Sequence, residues 1–328
     1  MALVDRDLLL AVVAEARRAP SARNQQPARW RLRDDVIELL EDPARRLPAC
    51  DPSGRDHRLA LGAAWEGTRL ALSSRGLRFD DEVLAAVPDE QGVVACGRVV
   101  DGGMKDLLVD VVMRRATWRG NFLAVQAHVL GDVAADLEPL GAVLVQNPAI
   151  IEDAARVIDD ASAANLLRPS AIEELVGWLR LARDHPGWDR DGLNADMLDL
   201  SPFSARLQSL ALRRGPLSQL HRARLAHLVV GEAEQTRSAS ALIAVLAQTD
   251  EIDIVVGARF YRCWLTVTSA GLHVCPMSVL TADEALGAQF SRALGLPAGW
   301  KLLHLWRVGR APRVVPLSPR LPPEELIT

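Results

Sequence analysis

No run of lysine or arginine forms a basic stripe in this chain of 328 residues, and its formal net charge is -4. Nucleic acid is therefore not an expected partner. No window approaches 18 consecutive apolar residues, so no membrane-spanning helix is expected. The N-terminal MALVDRDLLLAVVAEARRAP has a short apolar stretch, but Asp5, Arg6 and Asp7 precede it and Glu15 interrupts its end. It reads as a helix, not as a secretory leader. There are only four cysteines, Cys50, Cys96, Cys263 and Cys275, and none stands in a CxxC pair. Reduced thiols and a cytoplasmic location are expected.

Several chemistries lack their motif as well. No GxGxxG follows a strand, and there is no P-loop, HExxH or GxSxG. The seven histidines are scattered. His221 and His227 lie six apart, a poor ligand spacing, so no metal site is expected. Asp189, Asp191 and Asn194 around Gly192 do not follow the order of a calcium loop and read as an acidic turn.

What is present is ordinary globular material, 49% hydrophobic and 24% charged, long enough for one large or two average domains. Periodicity predicts an amphipathic helix over 5–18, a hairpin of ARWRL and VIELL about Asp34-Asp35, and a long helix over 55–75 closed by Gly76. Strands are predicted at 93–100, 141–146, 225–231, 241–248 and 302–309. Helices are predicted at 105–114, through most of 150–184, at 251–270 and at 282–294. Residues 185–203, rich in Gly, Pro, Asp and Asn, read as an irregular excursion too long for a simple connector.

Two of these helices resemble each other. GAAWEGTRLALSSRGL (62–77) and GARFYRCWLTVTSAGL (257–272) match at Gly, Ala, Leu, Ser, Gly and Leu at one constant offset, with Trp65 opposite Phe260. Glycine-capped buried helices can look alike by chance. The sharper reading is a duplication, two halves packed about a pseudo-two-fold axis within one chain.

Three segments carry candidate chemistry. PSARNQQP (20–27) crowds Ser21, Asn24 and Gln26 into one turn, whose hydroxyl and amides suit the edge of a planar heteroaromatic ring. It reads equally as a polar turn that caps a helix. RRATWRGNF (114–122) sets Arg114, Arg115 and Arg119 around Thr117, a set that suits a phosphate monoester. It reads equally as a solvated basic helix end. GLHVCPMS (271–278) reads as a loop after a glycine cap, with backbone N–H groups free to donate.

Together these segments resemble the nitroreductase family, with its RRSxR, PSxxNxQPW and GLxxxP signatures. They are most similar to the fused, double-length branch typified by the mycobacterial Acg proteins. APSARNQQP (19–27), DPSGR (51–55) before LGAAW (61–65), RRATWRGNF, and the late SPRLP (318–322) stand in that branch's order. Two departures are visible. The family tryptophan after QP is Ala28 here, with Trp30 two residues on, and Trp118, a core candidate, fills a position that is usually polar.

The resemblance implies an α+β fold, a pseudo-dimer of two nitroreductase-like halves at 1–113 and 114–328. Residues 184–203 have no counterpart in the first half and carry Trp188, Met197, Leu198, Leu200 and Phe203, so they read as a lid-like insertion over the cofactor or as groups packed on the outer helices. It implies one FMN per chain, since each half-site occurs once. Arg114, Arg115, Thr117, Arg119 and Arg320 are expected to hold the phosphate. Ser21, Asn24 and Gln26 are expected at the ring or ribityl chain, and the backbone of Met277 and Ser278 at the N5 side. It further implies an NAD(P)H oxidoreductase acting on nitroaromatics, quinones or another metabolite, working as a monomer. The alternative is a protein that stores or sequesters FMN without turnover.

Overall fold

The computed structural model describes residues 3–212 and 231–328. The strand expected over 225–231 lies, but for its last residue, outside them, as do His221 and His227.

Two four-stranded antiparallel sheets, each with helices against it, make an α+β fold. The first half runs α1 (Arg6–Ala16), the hairpin β1 (Ala28–Arg33) and β2 (Val36–Glu41), α2 (Arg55–Ser73), β3 (Leu77–Leu84) and β4 (Val93–Asp101), with sheet order β1-β2-β4-β3. A 3-10 segment, Leu107–Arg114, follows where an α-helix was expected.

The second half runs α3 (Ala127–Leu137), β5 (Ala142–Val145), a long insertion, β8 (Ala241–Gln248), α8 (Asp253–Ser269), β9 (His273–Pro276) and β10 (Trp300–Gly309). The insertion holds α4 (Pro148–Leu166), α5 (Pro169–Trp178), the short pair β6 (Leu179–Arg180) and β7 (Leu193–Asn194), α6 (Pro202–Ala211) and α7 (Ala233–Arg237). Two short helices, α9 (Val279–Ala282) and α10 (Glu284–Ala293), connect β9 to β10. The second sheet has order β5-β8-β10-β9.

Matched in chain order, the two sheets have the same topology, and every neighbouring pair is antiparallel. Where the first half makes the tight Asp34-Asp35 turn, the second inserts everything from 146 to 240. This is more than the excursion at 185–203 that the sequence suggested. Besides the two-residue pair β6 and β7, two strands of the main sheets escaped the sequence reading. β3 is LRFDDEVL, too charged to signal a strand, and GLHVCPMS, read as a loop, contains β9.

The halves meet through α2 and α8. A Cβ on Gly62 would stand 2.0 Å from the Ile254 carbonyl oxygen, and one on Gly257 would stand 2.3 Å from the Leu59 carbonyl oxygen. Leu59 and Ile254 are themselves related by the repeat offset, so the contact is reciprocal. Backbones this close require glycine on both sides. Ile254, Tyr261 and Leu265 of α8 share one core with Leu61, Trp65 and Leu70 of α2. The C-terminal tail then crosses back. Leu321 and Leu326 enter the first core, and Ile327 bridges to Trp30 of β1.

Candidate functional site

A cavity of about 300 Å³ opens between the halves. The first half contributes Ser21 and Asn24 from the turn after α1, and Asp56, Leu59 and Ala60 from the start of α2. The second contributes Phe260 and Trp264 from α8, Cys275 and Pro276 from β9, Ser278, and His304 from β10. The crossing segment adds Arg115, Thr117 and Arg119, the tail adds Ser318 and Arg320, and the insertion adds Leu193, Met197 and Glu232.

Arg23, Asn24 and Gln26 all have positive φ, at 51°, 57° and 53°. For residues with a Cβ each such angle costs about 1 kcal/mol or more, so the surrounding bonds must hold the turn. Ser21 Oγ accepts from the Gln26 N–H at 3.0 Å. Asn24 Nδ2 donates to the Pro319 carbonyl at 3.0 Å. Gln26 Oε1 accepts from Leu321 N–H at 2.8 Å, and its Nε2 donates to the Arg190 carbonyl at 2.9 Å. Gln26 therefore ties the turn to the tail and to the insertion, and it does not line the cavity.

Thr117 forms a parallel bridge with Val274, and Trp118 N–H donates to the Val274 carbonyl. This lays the arginine segment along β9. Arg115 is 3% exposed, lies 4.9 Å over the Trp264 ring, and donates to the Arg18 carbonyl at 3.0 Å. Arg119 donates to the Met197 carbonyl at 3.0 Å. Among the described residues, no carboxylate makes an ion pair with Arg18, Arg115, Arg119 or Arg320. Burial pulls Arg115 down to about 10 and lowers Arg18, Arg119 and Arg320 as well. Buried positive charge without a counter-ion is costly, and an anion in the cavity would relieve it.

Besides Gln26, three sequence expectations need correction. Arg114 is exposed at the end of the 3-10 segment, outside the cavity wall. The Met277 N–H already donates to the Leu305 carbonyl at 2.8 Å and its side chain is buried in the core, which leaves Ser278 at the cavity. Arg320 lines the cavity, but its guanidinium donates to Asn24 Oδ1 at 2.6 Å and to the carbonyls of Arg17, Arg18, Ala19 and Pro319. Those bonds make it a clamp that fastens the tail to the turn. Trp118 is core, as expected, with its Nε1 donating to the Asn121 carbonyl.

The sequence reading missed Asp56, Cys275, Phe260, Trp264 and His304. Cys275 Sγ lies 3.0 Å from Arg307 Nη2, and Arg307 pairs with Glu232 at 2.7 Å. Asp56 lies 3.1 Å from Arg55 and 3.3 Å from His304 Nε2. Burial alone would raise the Asp56 carboxyl, but His304 and Arg55 together hold it well below the usual carboxylate range. Cys275 lies within GLHVCPMS and Phe260 aligns with Trp65, but no local motif marks Asp56, Trp264 or His304.

The insertion closes one side. Leu193 and Met197 reach the cavity, and Trp188 and Met197 are buried, whereas Phe203 at 78% exposed faces water. Asp191 joins Arg180 at 2.9 Å to Arg45 at 3.2 Å. Glu174 accepts from the N–H groups of Ala49 and Cys50, and it pairs with Arg23. No helix among the described residues is long and apolar enough to cross a membrane.

No family model matches the sequence. A Mycobacterium tuberculosis protein named "Putative NAD(P)H nitroreductase" is 25% identical over 354 aligned positions, spanning 98% of this chain and 90% of that protein. A second from the same organism, named as the nitroreductase Acg, is 39% identical over 74 residues, 23% of this chain and 22% of that protein. Among solved structures, an iodotyrosine deiodinase bound to FMN and 3-iodo-L-tyrosine aligns with 65% of this chain and 95% of its own, at 13% identity and a TM-score of 0.39. The FMN-dependent nitroreductase NfnB of Mycobacterium smegmatis, in complex with NADPH, aligns with 63% and 89%, at 17% identity and a TM-score of 0.35.

Proposed function

We propose, from the chain's resemblance to the nitroreductases along its whole length, that it holds one FMN in the cavity between its halves and is an NAD(P)H-dependent oxidoreductase. The observation that carries this reading is the set of buried guanidiniums, Arg18, Arg115 and Arg320, that no carboxylate pairs with, and the half-buried Arg119 beside them. A phosphate monoester supplies the missing charge, and Arg donates to its oxygens bidentately. Arg115, Arg119 and Thr117 would hold that group, with Arg18 behind them and Arg320 fixing the wall. Phe260, Trp264, Leu59 and Pro276 give the apolar surface that a flat ring needs, and Ser21, Asn24 and Ser278 supply polar edges. FMN, when bound, supplies the two-electron chemistry, and the protein supplies position and electrostatics.

The halves are read as two fused nitroreductase-like protomers, 1–113 and 114–328, acting as a monomer. Their common sheet order and the reciprocal Gly62 and Gly257 contacts support this. Nitroaromatics and quinones are the proposed acceptor classes. Flavin released by heat should be FMN, near equimolar with protein. FAD, or two FMN per chain, would overturn the assignment.

One observation favours a second reading, in which the protein stores FMN. Leu193 and Met197 lie over the cavity, and the insertion is held down by Arg119, Gln26 and the Asp191 ion pairs. A fixed cover limits access for a nicotinamide. Bleaching of the flavin by NADH or NADPH under nitrogen supports turnover. A flavin that stays yellow supports storage.

A further inference from the structure

His304 reaches the cavity because β10 is irregular. Its pairing with β8 slips between Leu302, opposite Leu246, and His304, opposite Val245. The bulge puts one extra residue, Leu303, into the strand, and alternation fails there. Leu303, Trp306 and Val308 belong to the core under α8, while Leu302 and Leu305 belong to the opposite one. His304 sits with the first group, its ring edge-on to Phe260 at 5.3 Å. Bulges of this kind re-aim side chains beside active sites.

The imidazole is 4% exposed, and its Nδ1 has no hydrogen-bond partner. Nε2 lies 3.3 Å from Asp56 Oδ1, which comes from the other half of the molecule. Burying a histidine with an open nitrogen is costly if packing is its only purpose. Arg55, on the same turn as Asp56, and Asp51, across the loop, are the charged groups nearest the pair. Glu232 and Arg119 stand at other walls, Arg307 lies behind Glu232 and Cys275, and α8 and β8 face the ring with Phe260 and Val245.

We propose that His304, oriented by Asp56, is the proton donor of this cavity, and that the acceptors it serves become oxyanions on reduction, as quinones do. The inference rests on the FMN reading above. The quinone takes a hydride equivalent, two electrons and one proton, from flavin already reduced by NAD(P)H, and one oxygen becomes anionic. The His304 imidazolium gives its N–H proton to that oxygen and becomes neutral imidazole, and water restores the proton. The Asp56 carboxylate stays ionised throughout and stabilises the imidazolium. General acids of this sort contribute about 10²–10⁴-fold.

The test uses FMN-loaded protein, reduced anaerobically and mixed with 1,4-benzoquinone or with ferricyanide, which takes single electrons and no proton. His304→Gln should slow reoxidation by the quinone at least tenfold at pH 7 and flatten its pH profile, while the ferricyanide rate changes less than twofold. Asp56→Asn should give a smaller loss of the same kind. A readout independent of turnover is the dissociation constant of pentafluorophenol, a stand-in for the product oxyanion, followed by perturbation of the flavin spectrum. It should rise about tenfold in His304→Gln. Equal slowing with both oxidants, or an unchanged quinone rate and phenol affinity in yellow His304→Gln protein, overturns the donor role and leaves the FMN reading intact. Failure of the parent chain to take up FMN overturns that reading, and the donor role falls with it.

Discussion

The two halves share one backbone plan and use it differently. In α2, Trp65 is fully buried and its ring stacks on Phe79 of β3 at 4.4 Å and 7°. One turn on, Arg69 pairs with Glu66 and Glu82. At the matched positions of α8 stand Phe260 and Trp264, and the residue matching Phe79 is Val274. The smaller valine supplies no ring to cover Phe260, which meets Trp306 edge-on at 4.7 Å, and Phe260 and Trp264 both face the cavity. The second half also receives Arg115 over its Trp264 ring from the crossing segment. The cavity therefore forms on the half that lacks the second stacked ring and carries the arginine segment.

The largest effect is expected where the halves are most alike. Gly62→Val and Gly257→Val each drive a side chain into the other helix's backbone, which has no flexible end to give way. Each should cost at least about 3 kcal/mol of stability, measured by urea unfolding, and the two costs should be similar. A large cost at one position with near-neutrality at the other would break the symmetry.

Those glycines were legible, because helix period, glycine caps and the internal match all agreed. So were β8, whose ALIAVLA run is buried throughout, and the turn that brings Ser21 and Asn24 to the cavity, although Gln26 faces the tail and the insertion. β3 was not, since a charged edge strand carries no alternation, and β9 was not, since four residues beside proline signal only a loop. His304 and Asp56 come from different halves, and a one-residue slip in pairing aims the histidine. No local pattern records either fact. The resemblance suggested a phosphate role for Arg320, but its nearest acceptors proved to be backbone carbonyls and Asn24.

That contrast between arginines gives the next prediction. Arg115→Ala should weaken FMN by one to two decades, since a charge-assisted bond to phosphate is worth roughly 1.5–3 kcal/mol. Riboflavin, which lacks the phosphate, should lose little. Arg320→Ala should release the tail and the turn, weakening both ligands alike and lowering the melting temperature. Equal losses of both ligands in Arg115→Ala would make that arginine structural too.

Acid should discriminate as well. Asp56 bridges the halves through His304, and its folded pKa lies below the unfolded value of about 3.9. The unfolded chain thus binds the proton more readily. The stabilisation is complete above about pH 5 and declines as pH falls through the unfolded value toward the folded one. Between pH 5 and 2.5 the parent should lose on the order of 1–2 kcal/mol that Asp56→Asn does not lose. Parallel stability curves for the two would show that the pair does not join the halves.

The smallest effect concerns the ring that closes the first half. Neither ring of the Phe79–Trp65 stack lines the cavity, and neither makes an aromatic contact with a residue that does. Phe79→Leu keeps most of the apolar volume and removes the stacked pair, which is worth about 0.5–1.5 kcal/mol beyond burial. Stability should fall by about 1 kcal/mol, while FMN affinity and the flavin spectrum stay unchanged. At the matched helix position, Phe260→Leu should do the reverse in emphasis, because that ring forms part of the cavity wall. It should shift the flavin absorption band and weaken FMN and riboflavin together, since the ring system is common to both. If Phe79→Leu perturbs the flavin as much as Phe260→Leu does, the halves are coupled through α2 and α8, and the first is more than a filled copy of the second.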